Sequence, residues 1–161
     1  MSLLFDVVLN IDPPKVTHHQ KTLGLRNGKG GKLIPTMRDK PELEQAQAMI
    51  AMGLHRSTVR AGSKPRRPIQ AKVIMDVSFC FRSDIIEYWG NTPDRDNLAK
   101  TLQDVMTRNG WFDDDRLIVG GIVEKGCGPE PFIRVVCELA DDEAWREIYE
   151  TVRPTIAQAV V

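Results

Sequence analysis

Residues 69–81 carry the pattern that most constrains the fold of this chain, because apolar and polar side chains alternate there. Successive side chains of a β-strand point to opposite faces of the sheet, so the alternation predicts a strand with one buried face. The apolar members of the alternation are Ala71, Val73, Met75, Val77, Phe79 and Phe81. The pattern therefore favours a sheet with a hydrophobic core on one side.

Other periodic segments supply the remaining elements. Residues 3–11 alternate as a strand that Pro13 and Pro14 end, because proline cannot donate to a strand ladder. Helices are predicted from Pro41 to before Gly62, over about 97–108, and from Asp141 or Asp142 to near Pro154, with strands over 117–125 and 132–139. The order β-α-β-α-β-β-α predicts an α+β fold with a mixed four-stranded sheet and packed helices, in one domain over residues 1–161.

Residues 15–40 are polar, basic and rich in glycine, and they show no apolar period. We therefore expect them to form a long, mobile basic loop. The run from Gly28 to Lys32 does not match the phosphate-binding pattern G-x-x-x-x-G-K-[ST], which excludes that interpretation. A second basic loop is expected over residues 61–68.

The net charge of the chain is zero, but its distribution is uneven. Residues 1–70 carry twelve Lys and Arg against five Asp and Glu, and the remainder carries ten against seventeen. This asymmetry suits an enzyme that holds a polyanion, and it equally fits a solvated loop with an acidic tail. No apolar run could span a bilayer and no signal-peptide pattern is present, so a cytoplasmic protein is expected. Three cysteines without a C-x-x-C pair argue against a disulfide framework or a structural zinc site.

Acidic residues cluster in two segments, Asp94 to Asp96 and Asp113 to Asp115, on either side of a predicted helix. Clustered carboxylates repel one another unless a cation or shared protons compensate, and Mg²⁺ prefers such oxygen ligands. Asp94 and Asp96 fit a loop that runs into the helix, with Asp96 near its N-cap. Asp96, Asn97, Lys100 and Asp104 would then form one polar stripe on that helix. The arrangement indicates metal-dependent phosphoryl transfer, in which Lys100 offsets charge on the phosphate.

The segment 94–118 closely resembles the RusA family of Holliday junction resolvases. The family pattern D-x-D-N-x-x-K-x-x-x-D, followed by a D-D pair before an apolar strand, fits it without a gap. The resemblance implies a homodimeric, Mg²⁺-dependent endonuclease, with Mn²⁺ as a substitute, that nicks two strands symmetrically across a four-way DNA junction. It also implies a bacterial or phage origin.

The resemblance carries the family's roles onto individual residues of this chain. Asp94, Asp96 and Asp115 match the metal-binding aspartates, and Lys100 matches the essential lysine; these four are the predicted catalytic residues. Asp114, the first residue of the D-D pair, is a further predicted metal ligand. Asp113 is extra and is interpreted as peripheral, and Asp104 is expected to support Lys100 from one helical turn away.

Predicted DNA contacts come from basic residues in the loops and at the start of the helix. They are Lys29, Lys32, Lys64, Arg66, Arg67 and Arg95. The segment after Pro14 departs from the family pattern, so it could contact either DNA or a partner subunit. Two alternatives stay open: a metal-dependent nuclease for other branched or single-stranded DNA, and a non-catalytic DNA-binding protein on the same fold.

Overall fold

The computed structural model describes residues 2–16 and 21–159. The helices are α1 (Pro41–Arg56), α2 (Arg95–Arg108) and α3 (Asp142–Ala159). The strands are β1 (Leu3–Leu9), β2 (Lys21–Asn27), β3 (Leu33–Asp39), β4 (Thr58–Gly62), β5 (Val73–Arg82), β6 (Glu87–Tyr88), β7 (Ile118–Gly120), β8 (Val123–Gly128) and β9 (Phe132–Leu139). None of the described helices combines the length and apolar character that crossing a membrane requires.

Strand β5 lies at the centre of the main sheet. It pairs antiparallel with β9 on one side and parallel with β7 and β8 on the other. Among the described residues the sheet has seven strands in the order β4-β1-β9-β5-β8-β6, with β7 also paired to β5, while β2 and β3 form a separate two-stranded sheet. The predicted α+β fold with a mixed sheet is confirmed, but the predicted number of four strands is wrong.

The expected loop over residues 15–40 is wrong for most of its length, because β2 and β3 form a hairpin there. Its strands pair in an unbroken register from Lys21 opposite Asp39 to Asn27 opposite Leu33. Gly24 and Pro35 interrupt the apolar positions and hid the strand period in the sequence. Residues 17–20 of the expected loop lie outside the described residues. Strand β4 was also missed, because all five of its residues are exposed and show no alternation.

Gly121 divides the predicted strand 117–125 into β7 and β8. Its φ of 137° is open only to glycine, and a Cβ there would lie 2.0 Å from the carbonyl oxygen of Met75. Beyond this kink, the Val77 amide donates to the Ile122 carbonyl at 2.8 Å and pairing resumes. The predicted end of the last helix near Pro154 is also wrong, because α3 continues to Ala159. Proline lacks the backbone N–H, so the helix passes through Pro154 with one hydrogen bond fewer.

The hydrophobic core lies between one face of the main sheet and helices α1 and α2. Alternate residues of β1, β5 and β9 are buried there, as the strand periods predict. Helix α1 adds Leu43, Ile50 and Leu54, and α2 adds Leu98, Leu102 and Met106. Phe5 packs edge-on against Trp111, with ring centroids 5.1 Å apart, so the segment after α2 is also fixed to the core.

On the opposite face of the sheet, the buried Asp6 forms an ion pair with the partly exposed Arg134. Arg134 Nε and Nη2 donate to the two carboxylate oxygens of Asp6 at 3.0 and 2.8 Å, and Arg60 lies 3.9 Å from the same carboxylate. The hydrogen bonds from Arg134 lower the pKa of Asp6, although burial opposes that shift. The pair joins β1 to β9 on the side of the sheet that α1 and α2 do not cover.

Replacing Asp6 by Asn is expected to lower the free energy of unfolding by about 1–2 kcal/mol at pH 7, since charge-assisted hydrogen bonds are lost and Arg134 is partly exposed. Because folding lowers the pKa of Asp6, its contribution is complete above the unfolded pKa of about 4 and is lost as the pH falls through the folded value. Urea unfolding at pH 7 and pH 3 measures both effects.

The matched control is Asp142→Asn, which removes the exposed ion pair of Asp142 with Lys72. That variant should unfold like the parent protein at pH 7, because exposed pairs contribute little. An equal loss in both variants, or a loss in Asp6→Asn that stays constant down to pH 3, would contradict the assignment.

Candidate active site

The loop before α2 is held in place by Lys125 of β8. Lys125 Nζ donates to the carbonyl oxygens of Asn91 and Pro93, each at 2.8 Å. The Trp89 amide donates to the Lys125 carbonyl at 3.0 Å, and the Trp89 ring stacks on Phe81 with centroids 5.5 Å apart. These contacts fix the loop that leads to Asp94, the residue at the N-cap of α2.

Helix α2 separates apolar and polar residues onto two faces. Leu98, Leu102 and Val105 are buried against the sheet. Asp96, Lys100 and Asp104 recur every four residues, so they lie along the other face, about 6 Å apart for each step. The helix thus presents a row of charged side chains whose position is set by the buried row.

The segment after α2 returns the acidic triplet to this row. Gly110 turns the chain with a φ of 74°, and Trp111 and Phe112 are buried. The Ile69 amide donates to the Trp111 carbonyl and the Asp113 amide to the Ile69 carbonyl, both at 3.0 Å. Asp114 then caps a 3₁₀ turn (Asp115–Leu117), accepting from the Arg116 amide at 2.9 Å. The turn brings Asp115 to the middle of α2.

Lys100 bridges Asp104 and Asp115. Its ammonium lies 3.0 Å from Asp104 Oδ1 and forms an ion pair and hydrogen bond with Asp115 Oδ2. The hydrogen bond with Asp115, followed by that with Asp104, raises the pKa of Lys100, and the bond with Lys100 lowers the pKa of Asp115. Both shifts favour the charged forms of the Lys100–Asp115 pair.

The other predicted acidic residues lie nearer to solvent. Asp94, Asp96 and Asp113 are exposed. Asp96 was expected near the N-cap, but Asp94 occupies that position, and Asp96 lies in the first turn beside Arg95 at 3.4 Å. The expectation was off by two residues because the extended backbone ends at Asp94 and the helix already begins at Arg95.

The predicted metal ligands do not converge into a closed set. Among residues 2–16 and 21–159, no three His, Cys, Asp or Glu side chains lie close enough to hold a metal ion. The donor chemistry nevertheless fits a hard divalent cation, since Asp94, Asp96, Asp114 and Asp115 offer only carboxylate oxygens. Asp96 also lies one helical turn from the Lys100–Asp115 pair. The residues therefore fit a divalent cation by the chemistry of their oxygen donors.

The predicted DNA contacts lie in three places. Lys29 and Lys32 are exposed at the turn of the β2–β3 hairpin, and Arg66 and Arg67 are exposed in the segment after β4. Lys64 donates to the carbonyls of Leu54 at 3.2 Å and His55 at 2.8 Å, so it also satisfies the C-terminal carbonyls of α1. Arg95 lies beside Asp96.

Sequence reasoning missed the role of Lys125. The signal was present, because Lys125 shares its strand face with Val123 and Cys127, both directed toward the core. A lysine in such a row must find carbonyl or carboxylate partners, since an unpaired buried charge is strongly destabilising. It finds them in the loop that positions Asp94.

The α+β fold places aspartates from two segments beside one lysine. This set of groups is typical of hydrolases that act on phosphate esters. A family model described as Endodeoxyribonuclease RusA matches residues 26–138, well over half of the chain. The chain therefore belongs to the RusA endodeoxyribonuclease family, which supports its assignment as a nuclease. The resemblance carried by residues 94–118 is confirmed, and no curated protein matches the chain.

Replacing Lys125 by Met is expected to raise amide hydrogen exchange of residues 91–97 by about tenfold or more, since two hydrogen bonds to a charged donor are lost. Exchange read by mass spectrometry checks this. The control is Lys72→Met, because Lys72 is exposed and forms an ion pair with Asp142, away from this loop. Unchanged exchange over 91–97 in Lys125→Met would contradict the role of Lys125 as the residue that holds this loop.

Proposed function

We propose that the protein is a divalent-metal-dependent endonuclease that resolves four-way DNA junctions by paired symmetric cuts, in DNA recombination and repair. The family match supports an endodeoxyribonuclease. The single observation that carries the choice of site is Lys100, held between Asp104 and Asp115 on the charged face of α2. A solvated acidic surface would not need a lysine fixed between two of its carboxylates.

The metal is proposed to be Mg²⁺, with Mn²⁺ as a substitute. It would be held by Asp94, Asp96, Asp114 and Asp115. A divalent cation held there would supply Lewis acidity toward a phosphate and would favour deprotonation of a water molecule. The other contributions belong to the chain. Lys100 offers three N–H donors to the phosphate as negative charge develops on it. Asp104 helps to hold the Lys100 ammonium in position, since it contacts Lys100 independently of Asp115.

The active enzyme is proposed to be a homodimer. Two cuts placed symmetrically on opposite strands of a four-way junction require two active sites related by a two-fold axis, and a dimer with that symmetry supplies them. Arg66, Arg67 and the exposed cations of the hairpin are proposed to bind the phosphates of the junction arms.

The first experiment compares an immobile four-way junction, labelled on each strand in turn, with a linear duplex of the same sequence on a denaturing gel. Paired nicks confined to the junction with Mg²⁺, and absent in EDTA, are expected. Asp96→Asn should abolish these nicks and leave junction binding, since its side chain is 88% exposed and its removal does not disturb packing.

Asp142→Asn is the matched control, since it also removes one exposed carboxylate, on α3. Equal cutting of the duplex would support a nuclease without junction preference, and tight binding without cutting would support the non-catalytic alternative. Full activity of Asp96→Asn would refute the site.

A second comparison distinguishes the contribution of Lys100 to the cleavage rate from that of Asp104. Lys100→Met should lower the cleavage rate about 10²–10³-fold, the range for losing one donor to developing charge. Asp104→Asn keeps the size of the side chain and should lower the rate less, by about tenfold, because Lys100 retains its ammonium and its contact with Asp115. Single-turnover rates with saturating junction measure both, and an equal loss in the two variants would argue against a separate supporting role for Asp104.

A further inference from the structure

The β2–β3 hairpin stands apart from the body of the protein. Its seven paired positions give a ribbon about 24 Å long, and its strands do not join the main sheet. None of its described side chains is buried, and none belongs to the hydrophobic core. A two-stranded ribbon of this kind is only marginally stable in water, so a binding partner would stabilise it.

The hairpin is strongly basic. Residues 21–39 include five Lys and Arg and a single carboxylate, Asp39, which lies at the end of β3 far from the turn. Arg26, Lys29 and Lys32 are exposed at or beside the turn, and in the described part of the chain no carboxylate lies within ion-pair distance of them. The turn is tight, with Gly30 and Gly31 at positive φ and the Gly28 amide donating to the Lys32 carbonyl at 2.8 Å. Three cations are therefore presented together at the end of the ribbon.

The two faces of the ribbon differ. Leu23 and Leu33 lie on one face and are 70% and 56% exposed, while Arg26 lies on the other face. Leu33 directly follows the basic turn, so an apolar side chain and three cations share the tip. Ribbons that bind DNA combine these features: cations contact phosphates, and apolar side chains pack against base steps.

A second copy of this chain fits the ribbon less well than DNA does. One face of the ribbon covers only about 240 Å², since it is about 24 Å long and about 10 Å wide. A stable protein interface buries about 800 Å² on each partner. Two basic turns brought together around a two-fold axis would also repel one another.

We propose that the β2–β3 hairpin is a DNA-binding arm, in which Arg26, Lys29 and Lys32 bind backbone phosphates and Leu33 packs against the bases. This inference rests on the proposed function, because it assigns a contact surface for the same DNA substrate. The hairpin would add a binding surface outside the carboxylate site. This surface would increase the affinity for DNA and take no part in the cleavage reaction.

The test measures binding of the full-length protein to a fluorescent four-way junction in EDTA, by anisotropy over a series of salt concentrations. Lys29→Gln with Lys32→Gln should flatten the plot of log K against log salt by about 1.8, because each lost phosphate contact removes about 0.9. Leu33→Ser should weaken binding about tenfold or more without changing that slope, as expected for a lost contact with a base.

The control is Lys72→Gln with Arg146→Gln, two exposed cations outside the hairpin that are already paired with carboxylates, which should leave the slope unchanged. Light scattering measures the oligomeric state of each variant, and so tests whether the hairpin contacts a second copy of this chain instead of DNA. If Leu33→Ser dissociates a dimer while the hairpin variants keep the parent salt slope, the arm contacts a second copy and the proposal is overturned.

Failure of the arm and failure of the proposed function give different results. If the parent protein binds and cuts the junction but the hairpin variants bind with the same affinity and slope, only the arm is refuted. If the parent protein binds neither the junction nor a linear duplex, both proposals fall.

Discussion

The packing of α2 against the sheet is the constraint on which the candidate site depends. Leu98, Leu102 and Met106 are buried in the core, which fixes the rotation of the helix about its axis. Because residues four apart share a helix face, that rotation places Asp96, Lys100 and Asp104 in one row on the opposite side. Two further attachments fix the ends: Lys125 holds the loop before the helix, and the buried Trp111 holds the return after it. The packing of α2 therefore sets where the charged row lies, and the contacts of Lys100 with Asp104 and Asp115 orient its ammonium group.

Electrostatic balance explains why the acidic segments can lie close together. Lys100 is contacted by Asp104 and Asp115, and the pKa shifts of Lys100 and Asp115 both favour their charged forms. One ammonium cannot neutralise the whole set, since Asp94, Asp96 and Asp114 add further carboxylates on the two segments. A bound divalent cation would compensate the remaining negative charge. The chemistry of the site thus follows from an excess of carboxylate oxygens around a single fixed cation.

The sequence predicted those parts of the fold in which burial controls the pattern. The core face of β5 and the two faces of α2 follow from apolar spacing, and the acidic motif could be matched because its spacing is local. The β2–β3 hairpin and β4 could not be predicted in this way, because none of their described side chains is buried and alternation carries no information there. The break at Gly121 depends on the carbonyl of Met75, a contact between distant residues. The partners of Lys125 could not be identified from the sequence either, because Pro93 and Asn91 lie 32 and 34 residues away from it.

The distribution of paired and unpaired cations gives the charge asymmetry of the chain a structural meaning. Several lysines and arginines of the body have partners: Arg134 binds Asp6, Lys100 binds Asp115, and Lys64 and Lys125 satisfy backbone carbonyls. Those interactions hold the fold or the site together, so they contribute little free positive charge. The cations at the hairpin turn and at Arg66 and Arg67 have no such structural role among the described contacts. Positive charge available to a polyanion is therefore concentrated on exposed segments outside the core, while the carboxylates of the site are fixed on α2 and the turn after it.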